Sequence, residues 1–236
     1  MNNNSWFKKE KPMLALPGFG GGSASNIYWR PAGGSNDPTY VDDVFSTYLY
    51  EGNGTVRNFI NNGIKLGNAN AGNSVEFNGS SDYLSIPDST DFDLASVDFT
   101  MECWYYPRSN PSWVGLLAQW PNGNYNTTNS WTLEPVGSAL NFYYCMTNGT
   151  LSNIAAPGTL STNQWHHCAI VKKNNQLKCF LNGSGSSWST INGTLQNSTE
   201  PLTIGGYVAP SSGSGWANGL ISNVRITKGQ CLYENN

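Results

Sequence analysis

The stretch WHHCAIVKKNNQLKCFLNG, residues 165–183, has the alternating pattern of a β-hairpin. Every second residue of its first half points to one side of a strand, namely Trp165, His167, Ala169 and Val171. The polar residues 172–175 then form a turn, and Leu177, Cys179 and Leu181 restore the period of two. A helix would instead need apolar residues three and four positions apart. The sequence therefore predicts two antiparallel strands joined by a short turn.

Similar strand-like segments recur from residue 44 to residue 227, separated by Asn-Gly pairs that can adopt the positive φ of tight turns. One of them places four apolar side chains on a single face: Phe99, Met101, Cys103 and Tyr105. Short strands at close spacing, without a helical pattern, predict an all-β fold, an antiparallel two-sheet jelly-roll sandwich. We also expect Trp104 and Trp165, which lie inside strand patterns, to belong to the core.

Composition and charge exclude several classes of function. The 12 Lys and Arg residues against 15 Asp and Glu give a net charge of −3, which offers no basic surface to a phosphate backbone. No run approaches the roughly 18 apolar residues of a membrane-spanning helix, and residues 1–22 lack the apolar segment of a secretion signal. We therefore expect no nucleic-acid binding, no membrane insertion and no export by an ordinary signal.

The chain divides into two regions of different character. Residues 1–38 combine a lysine-containing segment with a glycine run and a loose polar stretch, which predicts an extended N-terminal arm without its own core. Residues 39–236 carry the strand patterns and are expected to form one jelly-roll domain. The odd number of cysteines and the absence of CxxC spacing favour reduced, buried thiols over a disulfide framework: Cys103, Cys145, Cys168, Cys179 and Cys231.

The sequence gives little support for catalysis. A retaining glycosidase needs two carboxylates about 5–5.5 Å apart, whereas Glu102 and Glu134 are single acidic residues in their strands. His166 and His167 belong to the hairpin, where we expect them to pack within the sheet rather than to serve a Ser–His–Asp triad. We therefore expect no enzymatic activity and no catalytic residue.

Calcium is the metal that loops of this kind could hold. Asp88, Asp91 and Asp93, or the Asn-rich loops near Asn124 and Asn218, could supply carboxylate and amide oxygens as ligands for Ca²⁺. Their spacing does not match an EF-hand, and a solvated acidic loop is the favoured alternative. We therefore expect no cofactor.

Several aromatic residues in or beside loops form a candidate glycan- or receptor-binding set: Trp113, Trp120, Tyr125, Trp188 and Trp216. Flat aromatic faces can stack on sugar rings, and the neighbouring amide side chains can supply hydrogen bonds. The alternative is that these rings cap the ends of the sandwich or pack against neighbouring subunits.

Five motifs occur in the order that resembles the laminin-G-like, concanavalin-A-like lectin/glucanase jelly roll. They lie within residues 77–87, 98–104, 165–183, 202–206 and 218–226. The resemblance covers about residues 70–233 and implies a lectin-like sandwich. Relatives on this fold include glycan hydrolases, but the chain lacks their acidic Glu-x-Asp-x-Glu arrangement.

Three further stretches are similar to virion proteins of tailed bacteriophages, especially marine ones: residues 6–14, 41–50 and 225–233. This resemblance implies that the N-terminal arm docks on the particle. The residues expected to carry the docking are Trp6, Phe7, Lys8, Lys9, Met13, Leu14 and Phe19.

The expected function is that of a virion structural protein of tail or tail-fibre type, on the outer surface of a particle assembled in the host cytoplasm. Its partners would be other virion proteins, further copies of itself in a homo-oligomer, and a host-surface glycan bound for attachment. A capsid decoration protein, of cement or head-fibre type, is the alternative. A free carbohydrate-binding module is the second alternative, although such a module has no need of a docking arm.

Overall fold

The computed structural model describes residues 74–109, 113–120, 129–207 and 215–234 in full, together with the backbone of five strands between residues 26 and 66. The residues expected to dock on a particle, Trp6 to Phe19, lie outside the described residues. Within the described part, no helix is long and apolar enough to cross a membrane.

Two antiparallel sheets make up the described fold. The eleven-stranded sheet contains β1 (Asn26–Pro31), β2 (Thr47–Glu51), β3 (Val56–Asn58), β5 (Lys65–Leu66), β6 (Val75–Asn78), β8 (Phe99–Pro107), β13 (His166–Lys173), β14 (Gln176–Leu181), β15 (Ser184–Gly185), β16 (Ser189–Thr190) and β18 (Asn218–Lys228). The seven-stranded sheet contains β4 (Ile60–Asn62), β7 (Tyr83–Ile86), β9 (Leu117–Gln119), β10 (Trp131–Val136), β11 (Ala139–Cys145), β12 (Leu151–Ala155) and β17 (Leu202–Ile204). The predicted all-β, two-sheet jelly-roll sandwich is confirmed.

The strand order places β8 at the centre of the eleven-stranded sheet, between β13 and β18. The seven-stranded sheet runs β12-β11-β10-β9-β17-β7-β4. Between β7 and β8, Thr90–Phe92 form a short 3₁₀ helix.

The predicted hairpin is formed by β13 and β14. Cys168 pairs with Leu181 at one end, and Lys173 pairs with Gln176 beside the turn. Asn174 and Asn175 make this turn with φ of 47° and 62°, a left-handed conformation that asparagine tolerates better than most residues. The local sequence therefore fixes both the register and the sharp return of the chain.

The core lies between the two sheets. The four β8 residues predicted to share a face have no exposed surface: Phe99, Met101, Cys103 and Tyr105. From the opposite sheet, Phe142 contacts Phe99 with ring centroids 6.4 Å apart. Fully burying an apolar side chain of this size stabilises a fold by about 1.5–3 kcal/mol, so this central row is a main source of stability.

Two tryptophans predicted to be core residues lie elsewhere. Trp165 and the other residues in its alternating row face away from the core, and Trp165 is half-buried against Tyr106 at 5.6 Å. Trp104 is also half-buried on the outward face of β8, paired with His167 across the strands. The core-facing row of the hairpin's first strand is instead the one containing Cys168 and Ile170, both 0% exposed.

The C-terminal segment covers part of this outward face. The Thr100 hydroxyl donates to the Gln230 carbonyl at 3.1 Å and accepts from the Leu232 amide at 2.9 Å. Ala169 and Val171 form a second apolar cluster on the same face and have no exposed surface. Both faces of the hairpin are therefore buried in places, which explains why alternation alone did not identify the core side.

The sheet includes part of the predicted N-terminal arm. Strand β1, within residues 1–38, pairs with β18 on one side and with β2 on the other. The backbone from residue 26 to residue 31 therefore belongs to the eleven-stranded sheet, although the sequence had assigned it to the arm.

The cysteines are free thiols. Four of them are buried, as the sequence predicted, and Cys231 is half-buried. Burial raises the pKa of the Cys179 thiol to about 12, so this side chain behaves as a small apolar core residue at neutral pH.

Candidate functional site

The outward face of the seven-stranded sheet carries a row of directly paired residues: Thr203, Ala118, Thr132, Tyr143 and Asn153. Their neighbours along the strands point into the core, among them Leu117, Leu133 and Phe142. Because successive side chains of a strand point to opposite faces, this row and the adjacent pair Glu134 and Asn141 share the face turned away from the core.

Trp113 and Tyr143 form an aromatic pair on this face. Trp113 is 39% exposed, more than any other large apolar side chain in the described part of the chain. Its ring centroid lies 5.6 Å from that of Tyr143, and the two planes are tilted by 51°. Trp113 has φ of 64°, an uncommon conformation for a residue other than glycine, and its amide donates to the Pro135 carbonyl at 3.1 Å. The backbone therefore holds this indole at the surface at some conformational cost.

A buried carboxyl group lies beside the aromatic pair. The Glu134 carboxylate accepts hydrogen bonds from the Tyr207 hydroxyl and, at 3.4 Å, from the Thr132 hydroxyl. Burial raises the pKa of Glu134 from 4.5 to about 7, although both hydroxyl groups act to lower it. Burial and the negative charge of Glu134 also raise the pKa of Tyr143. Glu134 therefore changes its charge near neutral pH.

Tyr207 reaches Glu134 because the chain has a glycine at residue 115. A Cβ atom at Gly115 would lie 2.9 Å from the Tyr207 ring, closer than real Cβ contacts allow. The missing side chain therefore leaves the space that Tyr207 occupies.

Two amides lie next to Tyr143. Asn153 pairs with Tyr143 across the strands, and its Nδ2 donates to the Oδ1 of Asn141 at 3.2 Å. Asn153 is exposed, whereas Asn141 is largely buried. We call Trp113, Tyr143, Asn141 and Asn153 the Trp113–Tyr143 surface. It combines aromatic faces with amide donors and acceptors, the two groups with which proteins hold sugar rings.

The surface has a different composition from that of a glycosidase centre. Hydrolysis of this kind uses two carboxylates that flank the scissile bond. The neighbours of Glu134 on its face are Thr132, Asn141 and Tyr143, none of which is a carboxylate. In the described residues, the arrangement offers recognition chemistry rather than paired acid–base chemistry.

Of the five predicted glycan-binding residues, Trp113 and Trp120 lie on this face. Trp120 packs with Tyr207 and Ala118 and is only 2% exposed. Its ring therefore has no open face for stacking on a sugar. Trp120 is a packing residue beside Tyr207, which corrects the expectation that it binds a glycan or receptor. Tyr125 lies outside the described residues.

The structure does not bring the other two predicted residues to this site. Trp188 is half-buried on the outward face of the eleven-stranded sheet, with Lys178 Nζ 5.7 Å from its ring centroid. Trp216 is half-buried beside Gly206, so close that a Cβ atom there would lie 2.7 Å from the indole. The predicted set is therefore divided among three places.

No binding role was predicted from the sequence for Tyr143, Glu134 or Tyr207. A usable signal exists in WTLEPV, residues 131–136, where Thr132 and Glu134 alternate with apolar residues and so mark a polar outward face. Tyr207 gives no such signal, because its contact with Glu134 spans 73 residues of sequence.

The remaining candidate residues have structural partners. His166 is 2% exposed, and its Nε2 donates to the Ser161 carbonyl at 2.9 Å, in agreement with the expected sheet packing. Asp88 accepts from Gln119 Nε2 at 3.1 Å, and Asp91 accepts from the Ser89 hydroxyl at 2.9 Å. Among the described residues, no group of three or more His, Cys, Asp or Glu side chains could hold a metal ion.

Solved structures with the same fold include binding domains of toxins and a domain of an arabinanase. The binding domain of Paraclostridial Mosquitocidal Protein 1 aligns with a TM-score of 0.65 at 15% identity, over 88% of this chain and 50% of that chain. The botulinum neurotoxin serotype D ligand-binding domain, in complex with N-acetylneuraminic acid, aligns with a TM-score of 0.57 at 14% identity, over 78% of this chain and 45% of that chain. This chain therefore spans about half the length of both toxin domains.

Domain 4 of AbnA, a GH43 extracellular arabinanase from Geobacillus stearothermophilus, was solved in complex with arabinotriose. It aligns with a TM-score of 0.53 at 18% identity, over 70% of this chain and 75% of that domain. At these identities the alignments establish a shared fold. No match was found among curated protein sequences.

The family comparison covers well over half of the chain. Residues 78–231 match the laminin G family model described as the concanavalin A-like lectin/glucanases superfamily. This range contains the Trp113–Tyr143 surface and the five motifs on which the sequence resemblance rested, apart from the first residue of the first motif. The chain belongs to the concanavalin A-like lectin/glucanases superfamily.

Proposed function

We propose that this protein is a lectin-type glycan-binding module and that the Trp113–Tyr143 surface receives the sugar. The observation that carries the proposal is the exposed Trp113 ring beside Tyr143, with the Asn153 and Asn141 amides next to it. The aromatic faces would stack on the C–H face of a sugar ring, and the amides would bond to its hydroxyl groups.

Ligands of two proteins with the same fold support the choice of a glycan. The botulinum domain was solved with N-acetylneuraminic acid and the arabinanase domain with arabinotriose. The proposed activity is binding without cleavage, because Glu134 has no second carboxylate among its neighbours on the face. Glu134 instead accepts a hydrogen bond from Tyr207 beside Tyr143.

A glycan array followed by calorimetry tests the proposal. We expect the full chain to retain a subset of glycans on the array. Trp113→Ala should weaken binding to the best of them by about tenfold or more, because the stacking surface is lost. Trp165→Ala is the control, since it removes a half-buried indole next to the opposite sheet and should leave affinity unchanged. An array without bound glycans, or equal affinity of Trp113→Ala and wild type, would overturn the proposal.

The biological setting that we propose is the outer surface of a tailed-phage particle, with the protein in a tail or tail fibre and the glycan on the host cell. The support is the sequence resemblance of residues 6–14, 41–50 and 225–233 to virion proteins. In this setting the N-terminal arm, through residues such as Trp6 and Phe7, docks on another virion protein. A capsid decoration protein with the same parts is the alternative.

Deletion of residues 1–22 tests this setting. Particles assembled with the truncated protein should lack it, because the docking residues are gone, whereas particles carrying Trp113→Ala should contain it at the normal level. Quantitative immunoblotting of purified particles gives the result. Normal incorporation of the truncated protein would contradict the docking role without affecting the glycan proposal.

A further inference from the structure

A cavity lies on the outward face of the eleven-stranded sheet, away from the Trp113–Tyr143 surface. It has a volume of about 340 Å³ and is lined by Trp104, His167, Asn182, Gly183 and Tyr233. This volume is near the lower end of the roughly 300–1,000 Å³ typical of ligand pockets. We call this cavity the Trp104 pocket.

Three aromatic rings form its walls at different angles. The His167 ring lies 5.3 Å from Trp104 with a tilt of 44° between the planes. Tyr233 lies 6.0 Å from His167 and is nearly perpendicular to it, at 88°. Flat stacking on a sugar needs one open aromatic face, whereas rings set at angles to one another surround a compact group from several sides.

The polar atoms of these rings bond to buried groups of the protein. The Tyr233 hydroxyl donates to the Glu102 carboxylate and accepts from Arg225 Nη2 at 2.9 Å. His167 Nε2 lies 3.0 Å from the same carboxylate. These bonds fix the orientation of both rings, which line the pocket together with Trp104.

The Asn182 amide is also engaged. Its Oδ1 accepts from the His167 backbone amide at 2.9 Å, and its Nδ2 lies 3.0 Å from His166 Nδ1, to which it donates. A ligand that depends on several directional hydrogen bonds would therefore have to compete with bonds already formed. A ligand that is held by aromatic faces would not.

An ionised carboxylate, paired with Arg225, lies next to the pocket. Burial acts to raise the pKa of Glu102, but the hydrogen bond from His167 and the charge of Arg225 lower it below its ordinary value, so the carboxylate beneath the pocket is ionised. On the same face, Lys178 Nζ already lies over the Phe180 ring at 5.3 Å, and Tyr233 contacts that ring at 6.1 Å. This aromatic surface thus holds one cation of the chain itself.

We propose that the Trp104 pocket binds a quaternary ammonium group, the chemical class of the choline headgroup. Such a group carries a positive charge, needs no hydrogen bond and is held by ring faces in an aromatic cage. The proposal concerns a different sheet and a different ligand from the glycan proposal and is independent of it.

Titration of the full chain with choline chloride, followed by tryptophan fluorescence and calorimetry, tests the proposal. The neutral compound 3,3-dimethyl-1-butanol has the shape of choline without the charge. We expect choline to bind at least tenfold more tightly than this compound, because the attraction between a cation and the ring faces is lost in the neutral one. Equal binding of the two compounds, or no choline binding, would overturn the proposal, and this comparison requires no variant protein.

Two variants locate the site. Trp104→Ala should reduce choline affinity at least tenfold, and Trp113→Ala should leave it unchanged while weakening glycan binding. Loss of choline binding in Trp113→Ala but not in Trp104→Ala would contradict the assignment to this pocket. Cosedimentation with phosphatidylcholine vesicles, with phosphatidylglycerol vesicles as the control, identifies the source of the group. If choline binds, selective cosedimentation supports a lipid headgroup, and its absence supports a soluble choline compound.

Discussion

The outward faces of the two sheets each contain a buried glutamate, but the two carboxyl groups have opposite electrostatics. Glu102 on β8 is 5% exposed, and Glu134 on β10 is 2% exposed. Glu102 forms an ion pair with Arg225 and is also bonded by His167 and Tyr233. Burial alone would raise its pKa, but these partners lower it.

Glu134 has a similar position and different partners. In the described part of the chain, the groups that bond to its carboxylate are the hydroxyls of Tyr207 and Thr132. These neutral donors offset only part of the pKa increase that burial causes, so the pKa of Glu134 rises to about 7. The partner of the carboxylate, rather than the depth of its burial, therefore decides whether an outward-facing glutamate is charged.

The two arrangements also differ in what they hold together. The Glu102 cluster connects β8, β13, β18 and the C-terminal segment, because Tyr233 and Arg225 meet on the same carboxylate. The Glu102 cluster therefore holds these strands of the eleven-stranded sheet and the C-terminal segment together. Glu134 lies beside the Trp113–Tyr143 surface, so a change in its protonation alters the charge next to the proposed glycan site.

The largest effect is expected from removing the cation of the Glu102 cluster. Arg225→Met should lower the free energy of unfolding by about 3–5 kcal/mol at pH 7, because it leaves a buried carboxylate without its ion-pair partner. Urea denaturation followed by tryptophan fluorescence gives this value. The double variant Arg225→Met, Glu102→Gln should recover part of the loss, because the unpaired charge is then absent.

Arg108→Met is the matched control for this prediction. Arg108 pairs with Glu76, and the two side chains are 38% and 33% exposed. An exposed pair of this kind contributes about 0–1 kcal/mol. If Arg225→Met lowered the free energy of unfolding by no more than Arg108→Met does, the Glu102 cluster would not stabilise the eleven-stranded sheet.

The sequence predicted the fold because its signals are local. Alternation in residues 99–105 identified a buried face, and the turn lies at Asn174 and Asn175, within the predicted residues 172–175. Alternation could not assign Trp165 to the correct face, because Ala169 and Val171 on the outward side are also buried beneath the C-terminal segment. A pattern of period two separates the two faces of a strand but does not reveal which face another part of the chain will cover.

The candidate site was only partly predictable because its contacts are distant in sequence. Trp113 could be selected as an aromatic residue beside a loop, and the structure places it at the surface. A glycan-binding surface at Trp113 also needs Tyr143, which lies on β11 and contacts the Trp113 ring. It further depends on Tyr207, which bonds to Glu134 although the two are 73 residues apart in sequence. The Glu102 cluster likewise joins Tyr233 to a residue 131 positions away. Such pairs follow from sheet order rather than from local spacing.

A smaller effect, with a distinct pH dependence, is expected at Glu134. Its folded-state pKa of about 7 lies above its ordinary value of 4.5, so the folded protein holds this proton more tightly than the unfolded chain does. The resulting stabilisation is complete below about pH 4.5 and is lost as the pH rises through 7. By pH 9 the loss amounts to roughly 3 kcal/mol. Urea denaturation between pH 5 and pH 9 should show this decline in the wild type.

Glu134→Gln should remove this component of the decline, because the amide cannot ionise and can still accept the hydrogen bond from Tyr207. Glu76→Gln, which changes an exposed glutamate, should retain it. If the wild type were as stable at pH 9 as at pH 5, or if Glu134→Gln declined as steeply as the wild type, Glu134 would be ionised at neutral pH like Glu102. Burial without a cationic partner would then not be enough to keep a carboxyl group neutral. The two outward faces would differ in their aromatic residues alone.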